Sequence, residues 1–128
     1  MNKIIAVANQ KGGVGKTTTA VNLSASLGEK KNKVLLIDTD PQGNATMGSG
    51  VDKSAIRYTT GDVLLNAEEP ATVIVNPEHA LYDLMPSNAD LTAAEVQLIN
   101  ALRREYRLLD ALAPLREKYD FILIDCPP

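Results

Sequence analysis

The segment most diagnostic of the fold is Lys11-Gly12-Gly13-Val14-Gly15-Lys16-Thr17-Thr18. It follows an apolar run, Ile4-Ile5-Ala6-Val7-Ala8, that predicts a buried parallel strand, and it leads into a helical pattern. Glycines let the backbone turn tightly, so that several N–H groups and the first turn of a helix point at one anion. The order of strand, glycine loop and helix therefore predicts a phosphate-binding loop.

The helix after the loop is predicted from Ala20, Leu23 and Leu27, which share one face, and it is expected to end at Gly28. In a phosphate loop, Lys16 would add positive charge beside the β- and γ-phosphates and the Thr17 hydroxyl would bind Mg²⁺. The common spacing G-x-x-x-x-G-K-[ST] is not met, because Gln10 stands at its first glycine position.

The loop with its early lysine resembles the deviant Walker A motif of the ParA/MinD family of ATPases, in which that lysine is the distinguishing feature. The resemblance implies that ATP is bound by the whole segment, which consists of Lys11, Gly12, Gly13, Val14, Gly15, Lys16, Thr17 and Thr18. It further implies that Lys11 reaches the nucleotide of a partner subunit. A purely structural glycine turn is the alternative interpretation of such a segment.

A second motif follows the apolar run Val34-Leu35-Leu36-Ile37 and reads Asp38-Thr39-Asp40-Pro41-Gln42-Gly43-Asn44. Ligands of doubly wound sheets collect at the carboxyl ends of the strands, and alternation places Asp38 and Asp40 on one side of the chain. Proline and glycine then predict a loop that moves with the state of a γ-phosphate. An ordinary turn has the same composition, but the segment resembles the Walker A′ or switch I segment of the ParA/Soj branch.

A third motif is Tyr119-Asp120-Phe121-Ile122-Leu123-Ile124-Asp125, which predicts a buried strand ending in an acid. Such a strand is common, and in the Walker B arrangement its carboxylate holds Mg²⁺, here through a water molecule. The following Asp125-Cys126-Pro127-Pro128 resembles the opening of switch II in the same family. Cys126 itself is interpreted as a small, half-buried side chain without a redox or metal role.

Composition limits the other possibilities. The chain has 128 residues, of which 45% are hydrophobic, so it can bury one core and is expected to form one domain. A net charge of −3 provides no general attraction to nucleic acid or anionic lipid. Cys126, the one cysteine, excludes an internal disulfide and favours a cytoplasmic location. Neither a leader peptide nor a run of membrane-spanning length is recognised.

Weaker patterns predict the connecting elements. They indicate a loop with a short helix over 48–66 and a strand over 80–85 ended by Pro86. A helix is predicted from Asn88 or Asp90 to about Leu102, with Thr92 and Glu95 at capping-box spacing. A further helical stripe passes through Leu108, Leu112 and Leu115 and is expected to be kinked near Pro114. His79 is assigned to a loop, and the arginines between 103 and 116 to a solvated helix face.

Together the motifs predict an α/β P-loop NTPase fold, a mostly parallel twisted sheet with helices on both faces. Residues 1–128 are expected to be one partial nucleotide-binding domain, because a complete doubly wound domain of this kind needs roughly 200 residues or more. The chain is thus expected to be an N-terminal portion with an unpaired strand edge and low stability on its own.

The resemblance implies an Mg²⁺-dependent ATPase switch that acts as an ATP-sandwiched homodimer. It gives catalytic roles to Lys11, Lys16 and Asp40, and metal-binding roles to Thr17, Asp38 and Asp125. It also implies a ParB-like, DNA-bound partner in chromosome or plasmid segregation, with non-specific DNA contacts through residues beyond Pro128 and a cytoplasmic or nucleoid location. Three alternatives stay open: a MinD-like cell-division regulator, an iron-protein-like reductase or cluster carrier, and a non-catalytic nucleotide-binding remnant.

Overall fold

Four parallel strands form one sheet in this computed structural model, which describes residues 3–7, 13–65, 67–98 and 104–126. The strands are β1 (Lys3–Val7), β2 (Val34–Asp38), β3 (Asp83–Met85) and β4 (Phe121–Asp125). Their spatial order is β1-β4-β2-β3, and every neighbouring pair is parallel. The prediction of a mostly parallel sheet is confirmed, and in the described part of the chain β1 and β3 form the two edges.

Helices cover both faces of the sheet. They are α1 (Gly13–Glu29), α2 (Asn44–Gly48), α3 (Thr60–Leu64), α4 (Pro70–Val73), α5 (Asp90–Leu98) and α6 (Arg104–Leu112). All five residues of β2 are buried, because side chains alternate between the two faces and each face meets helices. None of the described helices has the length and apolar character needed to cross a membrane.

The alternation divides the core into two clusters. On one face Leu35, Ile37 and Met85 pack with residues of α3, α4 and α6. On the other face Leu36 and Leu84 pack with residues of α1 and α2. The even-numbered positions of β2 therefore face α1 and α2, and Asp38 continues that side at the end of the strand.

Helix α1 does not end where the sequence predicted. It includes Gly28 and extends to Glu29, and Lys31, with φ 67°, takes the left-handed position after it. Gly28 has a different role, because a Cβ atom there would lie 2.1 Å from the carbonyl oxygen of Leu81. The glycine thus permits close approach of the loop before β3 rather than the end of the helix.

Several predicted boundaries need correction. The strand expected from Ala80 begins only at Asp83, since the backbone N–H of Ala80 bonds to Pro77 in a turn. Likewise β4 starts at Phe121 rather than Tyr119. A capping box occurs at Thr59 and Asp62, before α3. Thr92 lies inside α5 and is not the residue that caps it.

Helix α5 begins as expected, with the backbone N–H of Asp90 donating to the Asn88 side chain. Its predicted extension to Leu102 lies outside the described residues. The helix α4, with Pro70 in its first turn, was not predicted. The break expected near Pro114 is present, since α6 ends at Leu112 and a 3₁₀ turn follows.

Candidate functional site

The acidic ends of two strands lie side by side. Asp125 at the end of β4 is the register partner of Val7 in β1 on one side and of Asp38 in β2 on the other. Both aspartates are fully buried. Helix α1 follows β1 and must begin at the carboxyl ends of these strands, because a crossover helix runs back toward the start of the next parallel strand. The second and third sequence motifs therefore meet beside the first turn of α1.

Three hydrogen bonds hold the Asp38 carboxylate. Its Oδ2 atom accepts from the Thr46 backbone N–H at 2.9 Å and from the Thr46 hydroxyl at 2.7 Å. Its Oδ1 atom accepts from the backbone N–H of Asp40 at 3.0 Å. These donors fix the carboxylate in one orientation, on the face of the sheet that carries α2.

Opposing effects act on the pKa of Asp38. Burial raises this pKa above its ordinary value, and the negative charge of Asp125 raises it further, while the hydrogen bonds from Asp40 and Thr46 lower it. The net direction is upward. Two buried carboxylates in adjacent strands therefore form an electrostatically unfavourable pair, which a cation between them would stabilise.

Asp40 lies just beyond β2 and is 5% exposed. Its Oδ1 atom accepts from the backbone N–H of Gln42 at 2.9 Å, which is an Asx turn. Its carbonyl oxygen accepts from the backbone N–H of Gly43 at 2.8 Å. The turn interpretation of Asp40 is thus present in this structure, and a chemical role for its other carboxylate oxygen stays a prediction.

The loop from Thr39 to Gly43 is tied to the rest of the molecule at both ends. Thr39 donates to the Asp125 carbonyl oxygen through its backbone N–H at 3.1 Å and its hydroxyl at 2.8 Å. The Lys53 ammonium donates to the Gln42 carbonyl oxygen at 2.6 Å. Gly43 has φ 64°, and a Cβ atom there would lie 2.7 Å from the Ser87 carbonyl oxygen, so the turn requires glycine. The predicted motion of this loop is not tested by a single conformation.

Most side chains of the predicted phosphate loop lie outside the described part of the structure. Lys11 and Gly12 fall outside the described residues, and for 13–17, which include Lys16 and Thr17, only the backbone is described, as the start of α1. Thr18 is exposed on that helix. The roles of Lys11, Lys16 and Thr17 stay predictions. A helix follows β1 as predicted, but it begins at Gly13, within the predicted loop and not after it.

The chemistry of the site suits a hard divalent cation. Within the described ranges no group of three or more histidine, cysteine, aspartate or glutamate side chains could hold a metal ion. Mg²⁺ does not need such a group, because it keeps several waters and is bound by one or two carboxylates together with substrate phosphates. Asp38 and Asp125 supply carboxylate oxygens that can bond to Mg²⁺ or to its waters, so the residues present fit Mg²⁺ when a nucleotide is bound beside it.

Two residues in this region were missed by sequence reasoning. Thr46 and Ser87 are fully buried and bond to Asp38 and Asp40, respectively. An open cavity of about 700 Å³ lies between Lys33, Asp83 and Tyr119, at the amino-terminal ends of the strands. None of the predicted site residues lines it. His79 is an exposed turn residue and Cys126 is half-buried, as expected, while the absence of a redox or metal role for Cys126 stays a prediction.

Comparison with known proteins identifies the family of the chain. A family described as AAA domain matches residues 2–128. The chain belongs to this family. It is 50% identical over 129 residues to the chromosome partitioning protein ParA of Myxococcus xanthus, covering 100% of this chain and 45% of that protein. It is 45% identical over 128 residues to the sporulation initiation inhibitor protein Soj of Bacillus subtilis, covering 100% of this chain and 51% of Soj.

A solved structure agrees over the whole chain. Cobyrinic acid a,c-diamide synthase from Mycobacterium smegmatis, with bound ATP analogue and magnesium, superposes with a TM-score of 0.94 at 43% identity, covering 100% of this chain and 52% of that one. These findings confirm the P-loop NTPase fold and the resemblance to the ParA/MinD family of ATPases. The chain spans about half the length of the curated relatives it matches.

Proposed function

We propose that the protein is an Mg²⁺-dependent ATP-binding and ATP-hydrolysing switch of the ParA type. The observation that carries this proposal is the register pair of buried carboxylates, Asp38 and Asp125, at the strand ends beside the start of α1. Phosphate loops place a lysine and a hydroxyl at such a helix start, opposite an acidic strand end. The M. smegmatis structure, with its ATP analogue and magnesium, supports the same ligands for this fold.

Each candidate residue has a role in this proposal. Mg²⁺, when bound with ATP, would offset the negative charge of the phosphate oxygens. The Thr17 hydroxyl and Asp125 would hold it, the latter through a water, and Asp38 would accept hydrogen bonds from metal-bound waters. Residues 12–15 would bind phosphate oxygens through backbone N–H groups, and Thr18 would complete the loop.

The hydrolytic step needs positioning and charge rather than a covalent intermediate. A water would attack the γ-phosphorus, the bond to the β–γ bridging oxygen would break, and ADP and phosphate would leave. Lys16 would stabilise charge on the phosphate oxygens, and Lys11 would do so from a partner subunit. Asp40 would orient the attacking water and accept its proton late in the step.

The biological setting is proposed from the relatives named ParA and Soj. ATP binding would join two subunits face to face, and a ParB-like, DNA-bound partner would stimulate hydrolysis. Contact with non-specific DNA would require residues beyond Pro128, since the net charge of this chain is −3. The cytoplasmic or nucleoid location predicted from the sequence stays a prediction.

The test uses the complete gene product. ATP binding and phosphate release are measured with Mg²⁺ and with a chelator, and the oligomeric state is measured with a non-hydrolysable ATP analogue. We expect Mg²⁺-dependent binding, slow hydrolysis and ATP-dependent dimers, all of them weakened in Lys16→Ala. A protein that binds no ATP would contradict the proposal.

The same preparation separates the alternatives. Association with anionic vesicles that depends on ATP would indicate a MinD-like regulator, and a bound iron–sulfur chromophore would indicate a cluster carrier. ATP consumption only in the presence of a carboxylic acid and an ammonia donor would indicate an amide synthase such as the M. smegmatis enzyme. ATP binding without hydrolysis would identify a non-catalytic remnant.

A further inference from the structure

Four buried residues around the candidate site form a closed ring of hydrogen bonds. The Thr46 hydroxyl donates to Asp38 Oδ2 at 2.7 Å and accepts from the Ser87 backbone N–H at 2.9 Å. The Ser87 hydroxyl donates to the Asp40 carbonyl oxygen at 2.8 Å. The Asp40 backbone N–H donates to Asp38 Oδ1 at 3.0 Å and closes the ring.

The direction of each bond in the ring is determined. A backbone N–H can only donate, so the Thr46 oxygen must accept from Ser87 and its single proton is left for Asp38. Asp38 therefore accepts all three of these hydrogen bonds and donates none of them, as an ionised carboxylate does. The hydrogen bonds of the ring favour the charged form of the Asp38 carboxylate, and they oppose the larger effect of burial, which favours the neutral form.

The ring is also shielded from solvent. Asp38, Thr46 and Ser87 are fully buried and Asp40 is 5% exposed. Buried polar groups that are fully bonded are rigid, and a lost partner leaves a costly unsatisfied group. None of these four groups can turn away without breaking a bond that water does not replace.

We propose that Thr46 and Ser87 are positioning residues for the site, Thr46 for the Asp38 carboxylate and Ser87 for the main chain at Asp40. This inference rests on the proposed function, because it assigns a purpose to two residues through the aspartates to which they bond. Thr46 comes from α2 and Ser87 from the loop between β3 and α5, so two separate elements hold the two aspartates in one relative arrangement.

The bond pattern separates the two roles. Thr46→Val removes the hydroxyl that orients Asp38 and leaves the Ser87 N–H without its acceptor, whereas Thr46→Ser keeps the hydroxyl. Ser87→Ala keeps the backbone bond to Thr46 and loses only the bond to Asp40. Thr46→Val is therefore expected to weaken Mg²⁺ binding, and Ser87→Ala to slow turnover with little change in the Mg²⁺ requirement.

The first measurement is an Mg²⁺ titration of ATP-analogue binding, without turnover, on the complete gene product. We expect Thr46→Val to raise the Mg²⁺ concentration for half-saturation by about 10- to 100-fold, the range for loss of a group that orients a metal-binding residue. Thr46→Ser should restore it. Steady-state kinetics of Ser87→Ala should show a lower kcat with an unchanged Mg²⁺ requirement.

A matched control is Ser49→Ala. Ser49 directly follows α2 and is also buried. Its hydroxyl donates to the Ala45 carbonyl oxygen and accepts from the Tyr82 hydroxyl, and neither aspartate is among these partners. Ser49→Ala should lose stability but keep the wild-type Mg²⁺ titration. If it shifts the titration as much as Thr46→Val does, general weakening of α2 explains the effect and the inference is wrong.

Amide hydrogen exchange tests the ring without any ligand. In Thr46→Val the Ser87 amide should exchange at least about tenfold faster, because its acceptor is gone, and in Thr46→Ser it should stay protected. Equal protection in both variants would overturn the inference. Failure of the wild type to bind ATP would instead contradict the proposed function, and the exchange experiment would still decide whether the ring exists.

Discussion

Asp38 and Asp125 are register partners at the ends of two neighbouring parallel strands, and both side chains are fully buried. Like charges so placed repel each other, and the charge of Asp125 contributes to the raised pKa of Asp38. A cation bound between them would relieve this repulsion. We therefore expect the binding of Mg²⁺ to depend on this pair.

The first prediction concerns this pair. Asp38→Ala should raise the Mg²⁺ concentration needed for half-maximal hydrolysis, by about 10- to 100-fold for a group that orients metal-bound water. The matched control is Glu117→Ala, which removes an exposed carboxylate near the amino-terminal ends of the strands. Initial rates measured over a range of Mg²⁺ concentrations give the answer, and an identical requirement in both variants would remove Asp38 from the metal site.

The second prediction concerns the two lysines of the phosphate loop. If Lys11 serves the nucleotide of a partner subunit, Lys11→Ala should keep ATP binding and lose ATP-dependent dimerisation, while Lys16→Ala should weaken binding itself. Light scattering and nucleotide titration on the complete gene product separate the two effects. Normal dimerisation of Lys11→Ala would leave Lys11 as an ordinary surface lysine.

The third prediction concerns stability at alkaline pH. The Tyr119 hydroxyl donates to Asp83 at 2.7 Å, and burial together with this carboxylate raises the pKa of Tyr119 above its ordinary value of 10.0. The folded protein therefore holds this proton more tightly than the unfolded chain does. The free energy of unfolding should then fall as the pH rises above about 10.

Tyr119→Phe should lose about 1.5–3 kcal/mol at neutral pH, the typical range for a hydrogen bond to a charged group. It should also show a smaller fall in stability at alkaline pH, because the shifted group is gone. The control is Tyr58→Phe, which removes the same hydroxyl from another tyrosine, one whose ring packs against the Arg57 guanidinium. Urea unfolding at several pH values measures both effects, and parallel curves for wild type and Tyr119→Phe would contradict the prediction.

The strands that hold the site were predictable, and the bonds that orient it were not. Continuous apolar runs ending in Asp38 and Asp125 mark buried parallel strands, and parallel strands bring their carboxyl ends to one edge. Thr46 and Ser87, in contrast, lie 41 residues apart and meet only through tertiary structure. No periodicity marks such a pair, because a single buried hydroxyl leaves no repeating pattern in the sequence.

Local errors have similar physical causes. Gly28 was predicted as a helix end because glycine commonly takes the left-handed position there, but Lys31 takes that position and Gly28 accommodates Leu81. The short strand β3 was predicted too long, because the apolar residues before Asp83 belong to a turn that packs on α1. Tertiary packing decided both cases against the local pattern.

The fourth prediction concerns the edge of the sheet. In the described part of the chain, β1 pairs with β4 on one side only, and Ala6 is exposed. An exposed edge strand invites pairing between molecules. The 128-residue polypeptide should therefore self-associate, and Ala6→Lys should reduce this association. Ala55→Lys adds the same charge at an exposed site outside the sheet. Sedimentation velocity distinguishes them, and a monomeric, cooperatively melting wild type would contradict the prediction.

The last prediction concerns Asp40, whose structure allows two different roles. Its Oδ1 atom accepts from the Gln42 backbone N–H, so it shapes the turn, and its position near Asp38 also suits a group that orients water. A carboxylate beside the γ-phosphate would repel the phosphate charge, so it should aid turnover more than ATP affinity. Asp40→Ala is expected to bind ATP at least as well as wild type, to dimerise, and to hydrolyse ATP slower by about 10²-fold.

Asp40→Asn separates the turn from the chemistry. Its amide oxygen can still accept from the Gln42 N–H, but it cannot take a proton from water. If Asp40 acts on water, Asp40→Asn should be as slow as Asp40→Ala in single-turnover hydrolysis, with normal ATP and Mg²⁺ titrations for both. If Asp40→Asn hydrolyses ATP nearly as fast as wild type, Asp40 does not accept the proton of the attacking water, because the amide preserves the turn but cannot take that proton.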